Sequence, residues 1–215
     1  MLLAVAVALA VQPSLSKLVL KPAQVGQGYV QLQRSDGHGI AQRTLDLCGT
    51  KNYTSEGLRS ARLQVDYLKP NGPYRISNEV VVYKTGGAAQ AMREVAQHAA
   101  NCPSTQIVVE GQKASFKITK LSDSKLIKGY LAVQIRETAI VKGKKVTGTY
   151  YAVYQRFGDV LSGVYSYGAA TPDQELLCLR AAEASARNLR ANHGSGCVVT
   201  RLVAVTWTTP GASRT

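Results

Sequence analysis

The chain is 215 residues long and carries 26 Lys and Arg against 13 Asp and Glu, a formal net charge of +13. That length suffices for one domain with a substantial buried core, and no internal repeat or low-complexity tract divides it. A field of this sign draws a protein toward nucleic acid, acidic headgroups or anionic cell-wall polymer, and decides nothing about fold.

Taken in order, the chain opens with a wholly apolar run, Leu2 to Val11, that ends in the small-x-small pattern Ala8-Leu9-Ala10. About ten apolar residues fall short of the roughly 20 that a helix needs to cross a bilayer. Residues 1–16 therefore read as a signal or leader segment, with no transmembrane span. A buried first strand or helix is the other reading. No Lys or Arg precedes the run, so the leader can begin further upstream, and no cysteine follows closely enough for a lipid anchor.

Leu18 to Tyr29 is turn-rich, with Lys21-Pro22, Gly26 and Gly28, and residues 33–44 are polar around the turn signal Ser35-Asp36-Gly37-His38-Gly39. Two strands follow. Ala61, Leu63, Val65 and Tyr67 alternate with Arg62, Gln64 and Asp66; after Pro70-Asn71-Gly72-Pro73, Ile76, Asn78, Val80 and Val82 alternate with Ser77, Glu79, Val81 and Tyr83. A helix is predicted from about Gly87 to Asn101, with Ala88, Met92, Val95, Ala99 and Cys102 as its apolar stripe.

From residue 114 the pattern is an antiparallel meander: Ala114–Leu121, Tyr130–Val141, Val146–Phe157 and Val160–Tyr167. Gly143-Lys144-Lys145 and Gly158-Asp159 are the hairpin links. Thr171, Pro172 and Gln174 then open a second helix as N-cap, first helical residue and capping-box partner. Its predicted stripe is Leu176, Leu179, Ala182, Ala186 and Leu189, and the remaining tail, 198–215, has no assigned structure. Strands in runs, with helices set apart from them, define an α+β domain: an antiparallel sheet of about five to six strands with two to three helices on one face.

The order of Asp46-Leu47-Cys48-Gly49, the alternating strand, Ser77-Asn78-Glu79-Val80-Val81-Val82-Tyr83, the Gly86-Gly87-Ala88-Ala89 helix and Cys102-Pro103 resembles the extracellular sensor domain of PknH-type actinobacterial protein kinases and its secreted relatives. Pro22-Ala23-Gln24-Val25-Gly26-Gln27-Gly28-Tyr29 looks like that family's opening phrase, so the domain is expected over residues 17–197. The resemblance implies a sheet-and-helix fold around a ligand cleft. It also implies an extracellular or envelope location. The chain departs from the kinases in having no kinase domain and few cysteines.

Four cysteines allow three connectivities. The resemblance implies Cys48 with Cys102, which leaves Cys178 for Cys197. Another reading takes His98-x3-Cys102 and His193-x3-Cys197 as a zinc site. Cys102 belongs to an apolar stripe and Cys48 would be stranded, so no metal and no cofactor is expected.

Candidate chemistry is thin. There is no Gly-x-Ser-x-Gly, phosphate loop or His-Glu-x-x-His motif, so the chain is read as non-enzymatic. Asp66 and Glu79 could form a carboxylate pair if they share a face, but a cross-strand partner for Arg62 is the plainer role. Tyrosine is abundant, 11 against 2 phenylalanines. It suits the wall of a partly wet cleft as well as a half-buried strand.

Tyr83, Glu79, Asn78, Tyr151, Tyr154 and Tyr165 are the candidate ligand-binding residues, on a sheet face assumed to be uncovered. The leading reading is a secreted or cell-surface ligand-binding module for an unknown small molecule or envelope component. The alternatives are a basic envelope protein binding anionic polymer, then an unrecognised hydrolase. The polymer reading rests on Lys113, Lys117, Lys120, Lys125, Lys128, Arg136, Lys142, Lys144 and Lys145, a run with no interleaved aromatic motif for sequence-specific nucleic-acid binding.

Overall fold

The computed structural model describes residues 14–35, 43–49, 52–102, 104, 107–109, 111–168 and 171–193. Most of the expected leader, Cys197 and the tail 198–215 lie outside them. Eight strands form the sheet: β1 (Val30–Ser35), β2 (Arg59–Leu68), β3 (Arg75–Tyr83), β4 (Ile107–Val109), β5 (Gln112–Leu121), β6 (Leu131–Val141), β7 (Lys144–Phe157) and β8 (Val160–Gly168). The helices are α1 (Leu15–Leu18), α2 (Pro22–Val25), α3 (Gly87–Ala100) and α4 (Pro172–His193), with short 3₁₀ turns at Leu47–Gly49 and Thr54–Leu58.

All strand pairs are antiparallel, in the order β1-β2-β3-β8-β7-β6-β5-β4. Two meanders, β1–β3 and β4–β8, are joined where β3 pairs with β8, from Arg75 opposite Tyr167 to Val82 opposite Val160. The α+β architecture matches the sequence expectation, but the strand count of five to six does not. The two additional strands are the rims. β1 reads Val-Gln-Leu-Gln-Arg-Ser with a bulge between Gln31 and Gln33, and β4 has three residues. The alternation of β1 lasts only from Val30 to Gln33 and abuts a turn signal, and the three residues of β4 are too few to show a period.

The β6–β7 link also shifts. Val141 faces Lys144, so the turn is Lys142-Gly143, both at positive φ (49° and 75°), as a type I′ hairpin requires.

Helices cover both faces, which corrects the single covered face expected from the sequence. On one side α4, α1 and α2 pack over Leu63, Val65, Tyr67, Ile76, Val80, Val153, Val160 and Val164. On the other, α3 and the 3₁₀ turns pack over Val81, Tyr83, Phe116, Val133, Ile135, Ala152 and Leu161.

α4 meets the sheet through small side chains. Cys178, Ala181, Ala182 and Ser185 are buried, whereas Leu176, expected in the stripe, is 46% exposed. In the first turns the burial goes to Gln174 and Cys178 instead of Leu176 and Leu179. Small residues bring the helix close enough for polar bridges: Gln155 Nε2 donates to the Ala182 carbonyl at 2.9 Å, and the Ser162 and Ser185 hydroxyls meet at 2.7 Å. Cys178 is a free thiol at the bottom of this interface, pushed up in pKa by burial. Its expected partner, Cys197, lies outside the described residues.

α3 is anchored along its length. Gly87 leaves room for Tyr83 and Leu58, whose Cβ atoms lie 2.9 and 3.0 Å from where a side chain would begin. Midway, Glu94 accepts from the backbone N–H and hydroxyl of both Thr54 and Ser55 (2.6–3.2 Å). Burial raises its pKa, but hydrogen bonds from Ser55, Thr54 and Gln90 outweigh that and lower it. Just past the helix end, Cys102 is bonded to Cys48, with Cα atoms 5.7 Å apart.

The bridge Cys48–Cys102 spans a sequence separation of 54. Chain-entropy estimates give about 4 kcal/mol for a loop of that size. Replacing both cysteines by alanine is expected to lower unfolding free energy by about that amount, read by urea denaturation. An unchanged midpoint would show that the bridge constrains nothing in the unfolded chain.

Candidate functional site

Register decides which candidate residues meet. β3 and β8 pair residues of like parity (Ser77 with Tyr165), whereas β7 and β8 pair residues of opposite parity (Tyr150 with Tyr167, Tyr151 with Ser166). Glu79, Tyr83, Tyr154 and Tyr165 thus share the α3 side of the sheet, and Asn78 and Tyr151 lie on the α4 side.

The candidate residues divide into fastenings and a polar cluster. Asn78 is fully buried: its Oδ1 accepts from Leu20 N–H at 2.9 Å, and its amide donates to Ser162 Oγ and the Gly163 carbonyl. It pins the N-terminal segment to the sheet, helped by the Tyr67 hydroxyl, which donates to the Leu20 carbonyl. Tyr151 is 2% exposed in the α4-side core, its hydroxyl accepting from Gln134 at 3.0 Å. Tyr83 is 3% exposed under the start of α3. The assumption of an uncovered face thus fails at Tyr83 and Tyr151, because a helix layer sits on each side.

α3 does not reach the whole of its face. Beyond it, β2 contributes Gln64 and Asp66, β3 contributes Arg75, Ser77 and Glu79, and β7 and β8 contribute Tyr150, Tyr165 and Tyr167. Arg62 and Glu79 form a buried ion pair here, each side chain 4% exposed. The Arg62 guanidinium also donates to Gln64 Oε1 (2.6 Å), and Gln64 donates onward to Ser77 Oγ (2.9 Å). Beside them Arg75 donates to Asp66 Oδ2 at 2.9 Å. The cross-strand partner expected for Arg62 is thus Glu79, and the two carboxylates that β2 and β3 bring to this face, Asp66 and Glu79, each have an arginine.

Burial raises the Glu79 carboxyl from 4.5 to about 7, with Arg62 opposing the rise. A buried ion pair is weak evidence of stability, since desolvation offsets the attraction. Its effect here is to orient Gln64 and Ser77.

The tyrosines form a connected group. Tyr165 lies across Gly163, where any Cβ would fall on its ring, and meets Tyr154 edge-on at 5.6 Å. Tyr150 and Tyr167 stack at 6.1 Å, and Tyr167 is 44% exposed. Burial first, and the Asp46 charge after it, push the Tyr167 hydroxyl up to about 12. The same two influences raise Tyr154, and burial is the chief cause for Tyr150 and Tyr165 too. These hydroxyls are therefore neutral hydrogen-bonding groups near pH 7. The stretch 43–49, which carries Asp46, borders the cluster.

This arrangement presents aromatic rings and neutral hydroxyls beside paired charges. His98 is spent elsewhere, against Tyr53 at 4.5 Å. Cys102 is in the disulfide, which removes the zinc alternative, and no cluster of three or more His, Cys, Asp or Glu could hold a metal among the described residues. Sequence reasoning missed Tyr150, Tyr167 and Arg75. The opposite-parity register of the short β7–β8 hairpin was the signal that would have placed Tyr150, not Tyr151, beside Tyr165.

No protein-family model and no curated protein matches the chain. Among solved structures, it is similar to the extracellular domain of PknH from Mycobacterium tuberculosis: 12% identity over 82% of this chain and 98% of that one, TM-score 0.52. The chain therefore has the PknH-like sensor-domain fold. A protein from Mycobacterium smegmatis is a more distant match, at 11% identity and TM-score 0.39, over 81% of this chain and 97% of that one.

Substituting Arg62 by Met leaves Glu79 buried without its partner, an arrangement that costs about 3–5 kcal/mol when the carboxyl is ionised. Because the folded-state pKa is raised, from 4.5 to about 7, Glu79 holds its proton more tightly in the folded chain. Its favourable contribution is present at low pH and lost as pH rises through 7. The loss of stability in R62M is therefore expected to be large at pH 8 and clearly smaller at pH 5, read by urea unfolding at both. Equal losses would show Glu79 charged throughout.

Proposed function

We propose that the chain is an extracellular, non-catalytic ligand-binding domain of sensor type, and that its ligand contacts the tyrosine-bearing area beyond α3. The observation that carries this reading is the stacked pair Tyr150–Tyr167 set beside the Gln64–Ser77 and Asp66–Arg75 hydrogen bonds. Half-exposed aromatic surface next to oriented polar groups is the composition of a binding wall. The paired carboxylates and un-ionised tyrosines suit recognition better than hydrolysis. The disulfide favours an oxidising, extracellular setting, in keeping with the extracellular origin of the PknH domain. Among the described residues no helix is long and apolar enough to cross a membrane.

Native mass spectrometry of the protein recovered from its source envelope or medium tests this. An adduct is expected that disappears in Y150A and Y167A. Because Tyr167 is 44% exposed and Tyr83 and Tyr151 are 3% and 2% exposed, Y167A should keep its melting temperature. Y83A and Y151A should each lose about 3–5 kcal/mol. An adduct that survives both surface substitutions would move the site elsewhere.

A second reading, binding of anionic polymer, is favoured by a different area. On the α4 side of β5, β6 and β7, the exposed Lys113, Lys117, Arg136 and Lys145 alternate with Thr119, Thr138 and Thr147, past the reach of α4. Retention on an anionic matrix should fall steeply between low and high salt, and fall further in K117E/R136E. Retention independent of salt would remove this reading.

A further inference from the structure

We propose that the hollow between α3 and the β5–β6 corner is a ligand site separate from the tyrosine area, and that it takes one amphiphilic anion. The apolar tail would lie against α3 and the anionic head between Arg93 and Lys120. The hollow measures about 460 Å³, with Met92, Arg93 and Ala96 of α3 on one wall and Lys120, Leu121 and Tyr130 on the other. That volume falls within the roughly 300–1,000 Å³ of small-molecule sites. Each of these residues is described, as is the chain on either side of it.

Register builds the walls. Lys120 pairs with Val133 of the α3-side core, so it lies on the same face as α3. Arg93 and Lys120 therefore come to the hollow from opposite walls. Leu131, two residues before Val133, contributes to the apolar floor. Met92 is one of two methionines in the chain and is half-buried here. Its unbranched thioether adapts to irregular apolar shapes. Ala96, one turn further on, is exposed and too small to fill the space. The Tyr130 hydroxyl accepts from the Asp123 N–H at 2.7 Å, which fixes its ring. Gly129 turns at φ 85° with nothing within 4 Å of where a side chain would begin, so the hollow is open on that side.

The charges select the ligand. Arg93 and Lys120 are both exposed, and among the described residues no ion pair neutralises either. The carboxylates next to them in sequence are engaged elsewhere. Glu94 is held by Thr54 and Ser55, and Asp123 accepts from the Lys125 N–H at 2.8 Å. Arginine and lysine lay their stems along apolar walls and keep the charge at the rim. An apolar floor under two unneutralised cations fits a hydrocarbon tail that ends in a carboxylate, sulfate or phosphate. A neutral amphiphile would leave the cations unused, and a compact anion would leave the floor uncovered. No residue of this hollow belongs to the tyrosine area, so the two sites stand or fall separately.

The experiment uses the full chain and dodecanoate, titrated by calorimetry at pH 7 below its micelle concentration. Saturable one-to-one binding is expected, weakening by about fourfold for each methylene removed from the tail. Dodecyltrimethylammonium, with the same tail and the opposite charge, should bind at least tenfold more weakly. R93E/K120E should weaken dodecanoate binding at least tenfold, and A96W should do the same by filling the hollow, both with melting temperatures unchanged. Y167A and K117E/R136E should leave it unchanged. Equal affinity for dodecanoate and butyrate would show that the tail is unbound and overturn the proposal. So would equal binding of the cationic amphiphile, or full affinity in A96W. Retention on vesicles of anionic phospholipid without any binding of dodecanoate would also overturn it, in favour of contact with a charged surface.

Discussion

The pairing of β3 with β8 is the constraint on which the rest of the molecule depends. Each meander alone has an open edge and a half-sheet too narrow for its helix. Once Ile76 faces Ser166 and Val82 faces Val160, the eight strands form one floor. α4 can then lie across β7 and β8 while α1 and α2 close over β2, and α3 can bridge β3, β6, β7 and β8 from the opposite side. The buried polar groups at this seam show how closely it is fitted. Asn78 reaches both the N-terminal segment and Gly163, and Ser162 meets Ser185 on α4. Unpaired, such groups would cost more than apolar side chains in their place.

The same seam sets the two sides apart in chemistry. Under α4 the sheet is uncharged and mostly aliphatic, with Tyr67 and Tyr151 among it. Asn78, Gln155 and Ser162 are buried hydrogen-bonding groups there, and small helix residues are pressed onto the sheet. Under and beyond α3 it carries Arg62, Glu79, Gln64, Ser77 and the tyrosines. Beyond the reach of α3 the polar residues Arg62, Asp66, Ser77 and Glu79 are themselves buried, and Arg75 and Tyr167 are exposed at the margin. The binding reading concentrates on that margin.

Much of the fold was legible from residues. Alternation gave six of the strands within two residues, and the caps at Thr171 and Pro172 gave the start of α4. The Thr171 hydroxyl does accept from Gln174 N–H, at 3.2 Å. The rims were not legible, because an edge strand need not be apolar on either face. The second helix layer was not legible either. An Ala-, Ser- and Cys-rich stripe reads as weakly amphipathic, yet small residues are what permit close helix–sheet contact. The site suffered most from register. A parity count along one strand says nothing about its neighbour until the turn between them is known, and a two-residue turn reverses it. Tyr151 was grouped with Tyr83 for want of that step, and the two lie on opposite faces.

The three fastenings of α3 have a mechanical consequence. Its first turn is seated on Tyr83 and Leu58, its middle is held by Glu94 on the 3₁₀ turn, and its far end is tied by Cys102 to Cys48. A rod clamped at both ends and at its centre cannot tilt without breaking a clamp. α3 is therefore a strut and not a lever. Any shape change that follows occupation of the neighbouring tyrosine area must be taken up by the sheet's own twist or by the stretch carrying Asp46, with the helix as the fixed point against which they move.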